Sequence, residues 1–219
     1  MKKLIILFGA LLSMSTVFGQ TLKSIKIDSL VSVSLPVVHS QKDTLGQQIF
    51  SANTDLGYMM AIREPNAKSN QPLKKEKDLN NVLRNYVKGI QKQTENGSAQ
   101  NVRDTVLGSL KAKAFTLLTK DANGIYQYRR FVLLYTQDAT YTFEYGYTED
   151  RKDLIKDESK NFFSSIKLAP GLQRNDQYVD TKASHGISTI LIFEIGGGLL
   201  ILFLIAWLVY RKRSNRELA

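Results

Sequence analysis

The stretch KAKAFTLLTKDANGIYQYRRFVLLYTQDATYTFEYGY, residues 111–147, decides the fold. Runs rich in β-branched and aromatic residues are cut by Asp121-Ala122-Asn123-Gly124 and by Gln137-Asp138. Asp and Asn side chains bond local backbone and Gly accepts a positive φ, so both breaks are turns. Strands joined this tightly run antiparallel, because a parallel crossover needs a dozen or more residues. Upstream, 102–106 leads through Gly108 into the same run. The spacing therefore predicts a four-stranded meander over 102–106, 111–119, 125–135 and 140–147.

Working outward from the meander, the period changes. Leu79, Val82, Leu83, Tyr86, Val87 and Ile90 recur at three- and four-residue spacing and share one helical face. That predicts a helix over 79–94, capped by Asp78 and stopped by Asn96-Gly97. Before it, 25–27 and 30–35 alternate around a bend at Asp28-Ser29, and 47–52 with 57–63 form a hairpin around Asn53-Thr54-Asp55, followed by a polar loop from Pro65 to Pro72. After the meander, a closing helix over 150–163 and an edge strand at 166–168 complete the list.

Strands, a long helix, a meander and a terminal helix make an α+β domain: one antiparallel β-sheet flanked by helices. With "VSVSLP" at 31–36, the meander, and "FFSSIKL" at 162–168, the chain resembles the PsbP-like fold family. That family includes the photosystem extrinsic protein P and many small exported bacterial proteins. The resemblance implies an adaptor or assembly factor rather than an enzyme, and it carries no catalytic set onto these positions.

The ends of the chain give an address. Lys2 and Lys3 precede a short apolar run, and Val17 and Gly19 stand at −3 and −1 of a cut before Gln20, so 1–19 reads as an export signal. At the other end, 187–210 is an apolar stretch of 24 positions interrupted only by Glu194 and closed by Arg211-Lys212-Arg213. A helix of that length crosses the roughly 30 Å of a bilayer's hydrocarbon core, and the basic cluster stays on the cytoplasmic side. The expected organisation is a signal peptide at 1–19, an extracytoplasmic domain at 20–168, a polar stalk at 169–186, a transmembrane helix at 187–210 and a basic cytoplasmic tail at 211–219. The expected location is the bacterial cytoplasmic membrane, single-pass, with the domain in the periplasm.

Composition narrows the chemistry. The chain has no cysteine, which removes disulfides, a lipid-modified cysteine anchor, thiol nucleophiles and thiolate metal sites. Of 30 basic residues, six lie in the signal and tail, leaving 24 against 18 acidic residues over 20–185, a net of +6. The basic residues are scattered and the compartment is wrong for nucleic acid, so membrane lipid is the expected partner of that charge. His39 and His185 lie far apart with no metal-ligand spacing, and no Gly-x-Ser-x-Gly elbow or phosphate-binding loop occurs. Asp150, Asp153, Asp157 and Glu158 alternate with Lys and Arg, the pattern of a solvated helix. Tyr141, Phe143, Tyr145 and Tyr147 line one strand face, opposite Thr140, Thr142, Glu144 and Gly146. They read as a face packed beneath a helix, with an aromatic ligand platform as the alternative. No catalytic, cofactor-binding or metal residue is assigned.

The sharpest functional signal lies in the span. Glu194, Gly197, Gly198, Ile201 and Ile205 fall on one helical stripe. Glycines let a second helix approach, and a carboxyl inside a span is costly unless partnered, so the stripe reads as a helix–helix contact with itself or an envelope protein. Glu194 snorkelling near the outer interface is the alternative. The expected function is a single-pass membrane-anchored binding or scaffold module. A membrane-tethered hydrolase, or a substrate of a C-terminal sorting protease, is the rival reading.

Overall fold

The computed structural model describes residues 21–67, 72–121 and 123–179. The signal, the transmembrane run, its contact stripe Glu194, Gly197 and Gly198, and the basic tail lie outside the described residues.

Each expected strand forms. They are β1 (Leu22–Lys26), β2 (Val31–Pro36), β4 (Gln47–Asn53), β5 (Tyr58–Pro65), β6 (Ser98–Leu107), β7 (Leu110–Lys120), β8 (Tyr126–Tyr135), β9 (Ala139–Thr148) and β10 (Lys167–Leu168). One strand was not legible: β3 (Ser40–Thr44) is Ser-Gln-Lys-Asp-Thr, fully exposed, with no apolar residue to betray it. It pairs with β4 across a tight turn in which Leu45 and Gly46 both take positive φ.

The strands make two sheets rather than the expected one. A seven-stranded antiparallel sheet runs β3-β4-β5-β9-β8-β7-β6, and a three-stranded sheet runs β1-β2-β10. The physical reason lies in β2. It is paired on both edges, by β1 and β10, so it adds no strand to the large sheet. Instead it buries Val31, Val33 and Leu35 face-on against it.

Helix α1 (Glu76–Gln93) and helix α2 (Lys156–Ser164) cover opposite faces of the large sheet. Leu79, Leu83 and Val87 of α1 pack on Phe115, Leu117, Phe131 and Leu133 of β7 and β8. Asp78 is not the N-cap. It sits at the third helical position and its carboxylate reaches back to the Lys75 N–H at 3.1 Å. The closing helix is shorter than expected: 149–151 is a separate 3-10 turn, from which the Arg151 guanidinium donates to Asp55 O at 2.8 Å.

On the α2 side, Tyr141, Phe143 and Tyr145 are fully buried beneath the small sheet and α2, with Tyr145 set 6.3 Å from Phe162. The aromatic face is core. Its hydroxyls end on carboxylates: Tyr141 donates to Asp28 at 2.5 Å and Tyr145 to Glu158 at 2.9 Å.

The chain does not leave the domain at Leu168. Residues 169–179, expected as the first part of the stalk, pack onto it. Gln177 is fully buried: it accepts from the Lys111 N–H and donates to the carbonyls of Lys111 and Tyr135. Tyr178 joins the α1 core, and Val179 N–H donates to Leu73 O at 2.7 Å. Isolated apolar residues, Leu172 and then Tyr178-Val179, give no periodicity, so sequence reading ended the domain too early.

Candidate functional site

Thr142, Glu144 and Gly146 lie on the α1 side of β9, but α1 sits over β6, β7 and β8 and leaves β4, β5 and β9 uncovered. The result is an open groove of about 700 Å³ between the helix and the bare strands. Met60 and Ile62 of β5 form its apolar floor, and Val82, Tyr86 and Ile90 of α1 its wall.

At the base of the groove is a charged cluster. The Glu144 side chain is only 1% exposed, yet both of its oxygens are occupied. Arg129 Nε donates to Oε1 at 2.5 Å and Arg129 Nη2 to Oε2 at 2.9 Å, a bidentate fork. The Tyr58 hydroxyl also donates to Oε1. The hydrogen bonds from Arg129 to Glu144 hold the guanidinium more firmly charged than usual. Burial, then the charge of Glu144, pushes the Tyr58 phenol well above its ordinary value. The guanidinium also lies 5.2 Å from the Phe131 ring. Among the described residues Arg129 Nη1 has no hydrogen-bond partner, and the residue lines the groove.

A glycine makes this cluster possible. Tyr58 is the cross-strand partner of Gly146, and its ring passes over the bare backbone there to reach Glu144. A Cβ on Gly146 would stand 2.0 Å from the ring.

No family model matches the chain, and no curated protein matches it in sequence. In structure it is similar to the cyanobacterial PsbP (CyanoP) of Synechocystis, with a TM-score of 0.51 at 14% identity. The alignment covers 72% of this chain and 98% of that one. The domain has a PsbP-like fold.

Within this PsbP-like domain, the structure places the sequence candidates as follows. His39 is half-buried before β3, with Nδ1 3.1 Å from Pro36 O, and His185 lies outside the described residues. Asp153 pairs with Lys156 at 3.1 Å, and Glu158 receives the Tyr145 hydroxyl. Among the described residues no group of three or more His, Asp or Glu could hold a metal ion. Sequence reading placed Glu144 and Gly146 on the right face but did not single them out. The signal was there: a carboxylate in mid-strand, a guanidinium in the neighbouring strand, and a glycine where a strand former is expected. Pairing of Tyr58 with Gly146 and of Arg129 with Glu144 needs strand register, which no local pattern supplies.

Proposed function

We propose that the chain is a membrane-anchored extracytoplasmic module that binds or scaffolds another component of the bacterial envelope, with the groove beside α1 as its partner site. The observation that carries this reading is the groove itself. It is a preformed concavity with a mixed polar and apolar lining, Glu64, Asn85 and Gln93 beside Met60, Ile62 and Val82, and one cation locked in orientation, the arrangement of a binding site. Glu144 already accepts from three donor groups, so the carboxylate at the base is engaged in holding Arg129. Arg129 Nη1 is left to meet an acceptor on the partner.

Anchoring rests on the sequence. The export signal at 1–19 and the run at 187–210 with Arg211-Lys212-Arg213 agree on orientation. In the same reading Glu194, Gly197 and Gly198 supply a second contact, within the membrane.

Two measurements test the proposal. Protease added outside the cytoplasmic membrane should digest the domain and leave a small embedded C-terminal fragment; a reporter at Ala219 active only outside the cytoplasm would overturn the topology. A photo-reactive residue in place of Met60 should give discrete cross-linked species in intact envelopes, and one in place of the exposed Lys120 should not. Equal labelling at both positions, or none at Met60, would rule out the groove as the partner site.

A further inference from the structure

Helix α1 carries a glycine that the domain itself does not use. Gly89 stands inside the helix, a turn before its last residue Gln93, and lines the groove beside Tyr86 and Ile90. Glycine at such a position costs helix stability relative to alanine, because its backbone has more freedom to lose. Gly89 takes no positive φ, and a Cβ added to it would meet no heavy atom within 4 Å. At Gly57 and Gly146, by contrast, a Cβ would run into the backbone of Gly146 and the ring of Tyr58. Neither conformation nor packing within the domain calls for a glycine at 89. Bare helix backbone on the wall of a concavity leaves room for another chain to approach closely.

The lining indicates what approaches. The charged residues of the groove are Glu64, Arg129 and Glu144. Arg129 and Glu144 neutralise each other, and Glu64, next to last in β5, forms no ion pair among the described residues. An anion entering the groove would meet a free carboxylate and no free cation. Arg129 Nη1 therefore suits a neutral acceptor, a carbonyl oxygen. Gln47, Asn85 and Gln93 add carboxamides, each able both to donate and to accept. A peptide backbone offers N–H and C=O groups in alternation to match them, whereas an acyl chain offers neither. Half-buried Met60, Ile62 and Tyr86 leave apolar surface for a side chain on that backbone.

We infer that the α1 groove takes an uncharged stretch of a partner polypeptide, whose backbone passes close over Gly89 and gives a carbonyl to Arg129. This rests on the reading of that groove as the partner site. Folding and binding then make opposite demands on position 89: alanine suits the helix, and glycine suits the partner.

The test uses the full chain with a photo-reactive residue in place of Met60, in intact envelopes, combined with Gly89→Ala or Gly89→Leu. Both new side chains project into open space, so the detergent-solubilised variants should unfold in urea at or above the midpoint of the parent chain. Gly89→Leu should cut the discrete cross-links about tenfold or more, and Gly89→Ala by less. Lys88→Leu, exposed and outside the lining, should leave them unchanged. Full cross-linking in a folded Gly89→Leu chain would overturn the inference and leave the groove standing as the partner site. No cross-link at Met60 in the parent chain would sink both. A lowered urea midpoint for Gly89→Ala would show that the fold itself needs the glycine, and that too would overturn the inference. Raising salt from roughly 0.1 M to 1 M, which shortens the reach of charge from about 10 Å to 3 Å, should not change the yield. A steep fall with salt would make the occupant charged and overturn the neutral assignment. Mass spectrometry of the cross-linked product should find a second peptide, and an acyl lipid in its place would overturn the polypeptide assignment.

Discussion

Asp28 should hold the two sheets together, and Asp28→Asn tests it with a change of one atom. Asp28 sits in the bend between β1 and β2. Its Oδ1 accepts from the N–H groups of Leu30 and Val31 at 2.8 and 2.9 Å. Its Oδ2 accepts from Arg63 Nε of β5 at 2.7 Å and from the Tyr141 hydroxyl of β9 at 2.5 Å. Asparagine can keep the first pair of bonds through its carbonyl, but it presents an NH₂ to Arg63 and loses the charge. Removing one partner of a buried ion pair costs about 3–5 kcal/mol. The side chains of Arg63 and Asp28 are 23% and 17% exposed, so solvent screens part of that, and we expect about 2–4 kcal/mol at pH 7. The assay is urea unfolding of residues 20–179, wild type against variant, from pH 7 downward. Burial alone would raise the Asp28 pKa, but hydrogen bonds from Tyr141, Leu30, Arg63 and Val31 outweigh it and hold the group below its ordinary 3.8. A carboxylate with a depressed folded pKa contributes stability that is complete above its unfolded value and is lost as pH falls through the folded one. The difference between wild type and variant should therefore be full at pH 7 and shrink below pH 3.8. A difference under about 0.5 kcal/mol at pH 7 would refute the clasp, since that is the scatter of ordinary surface changes. So would a large difference that persists unchanged at the lowest pH.

Gly146→Ala should displace the Tyr58 ring and cost about 1–3 kcal/mol by overpacking, and adding Tyr58→Ala should remove most of the extra penalty in a double-mutant cycle; additive effects would mean the two do not touch. Ending the fragment at Leu168 instead of Val179 strips away Tyr178 and the three hydrogen bonds of Gln177. That should lower stability by about 3–6 kcal/mol, and equal urea midpoints for the two fragments would show the tail is not part of the fold. Leu83→Ala, on the buried face of α1, should cost about 2–5 kcal/mol by lost burial and a cavity, while exposed Lys88→Ala should stay within about 0.5 kcal/mol of neutral in the same assay.

The meander, α1 and the bend at Asp28 were legible because each is written in local chemistry. Turn residues fix where a strand stops, and a three- and four-residue period fixes a helix face. Boundaries shifted where a cap worked from an unexpected position, as with Asp78, or where a separate 3-10 turn precedes the helix, as at Glu149–Arg151. β3 was hidden because an exposed edge strand needs no apolar residue, and 169–179 because a single buried tyrosine makes no pattern. Of the candidate sites, the groove beside α1 was half visible: Glu144 and Gly146 were on the right face, but Tyr58 and Arg129 came from other strands.

The sequence by itself determined that β9 has two unlike faces, since alternation is a property of consecutive residues. What each face meets was decided only in three dimensions. Tyr141 ends on Asp28, 113 residues away, and Glu144 is completed by Tyr58, 86 residues away. Those pairings depend on strand register and on which strands become neighbours. Both are set by the burial of the whole core at once, and no window of sequence contains them.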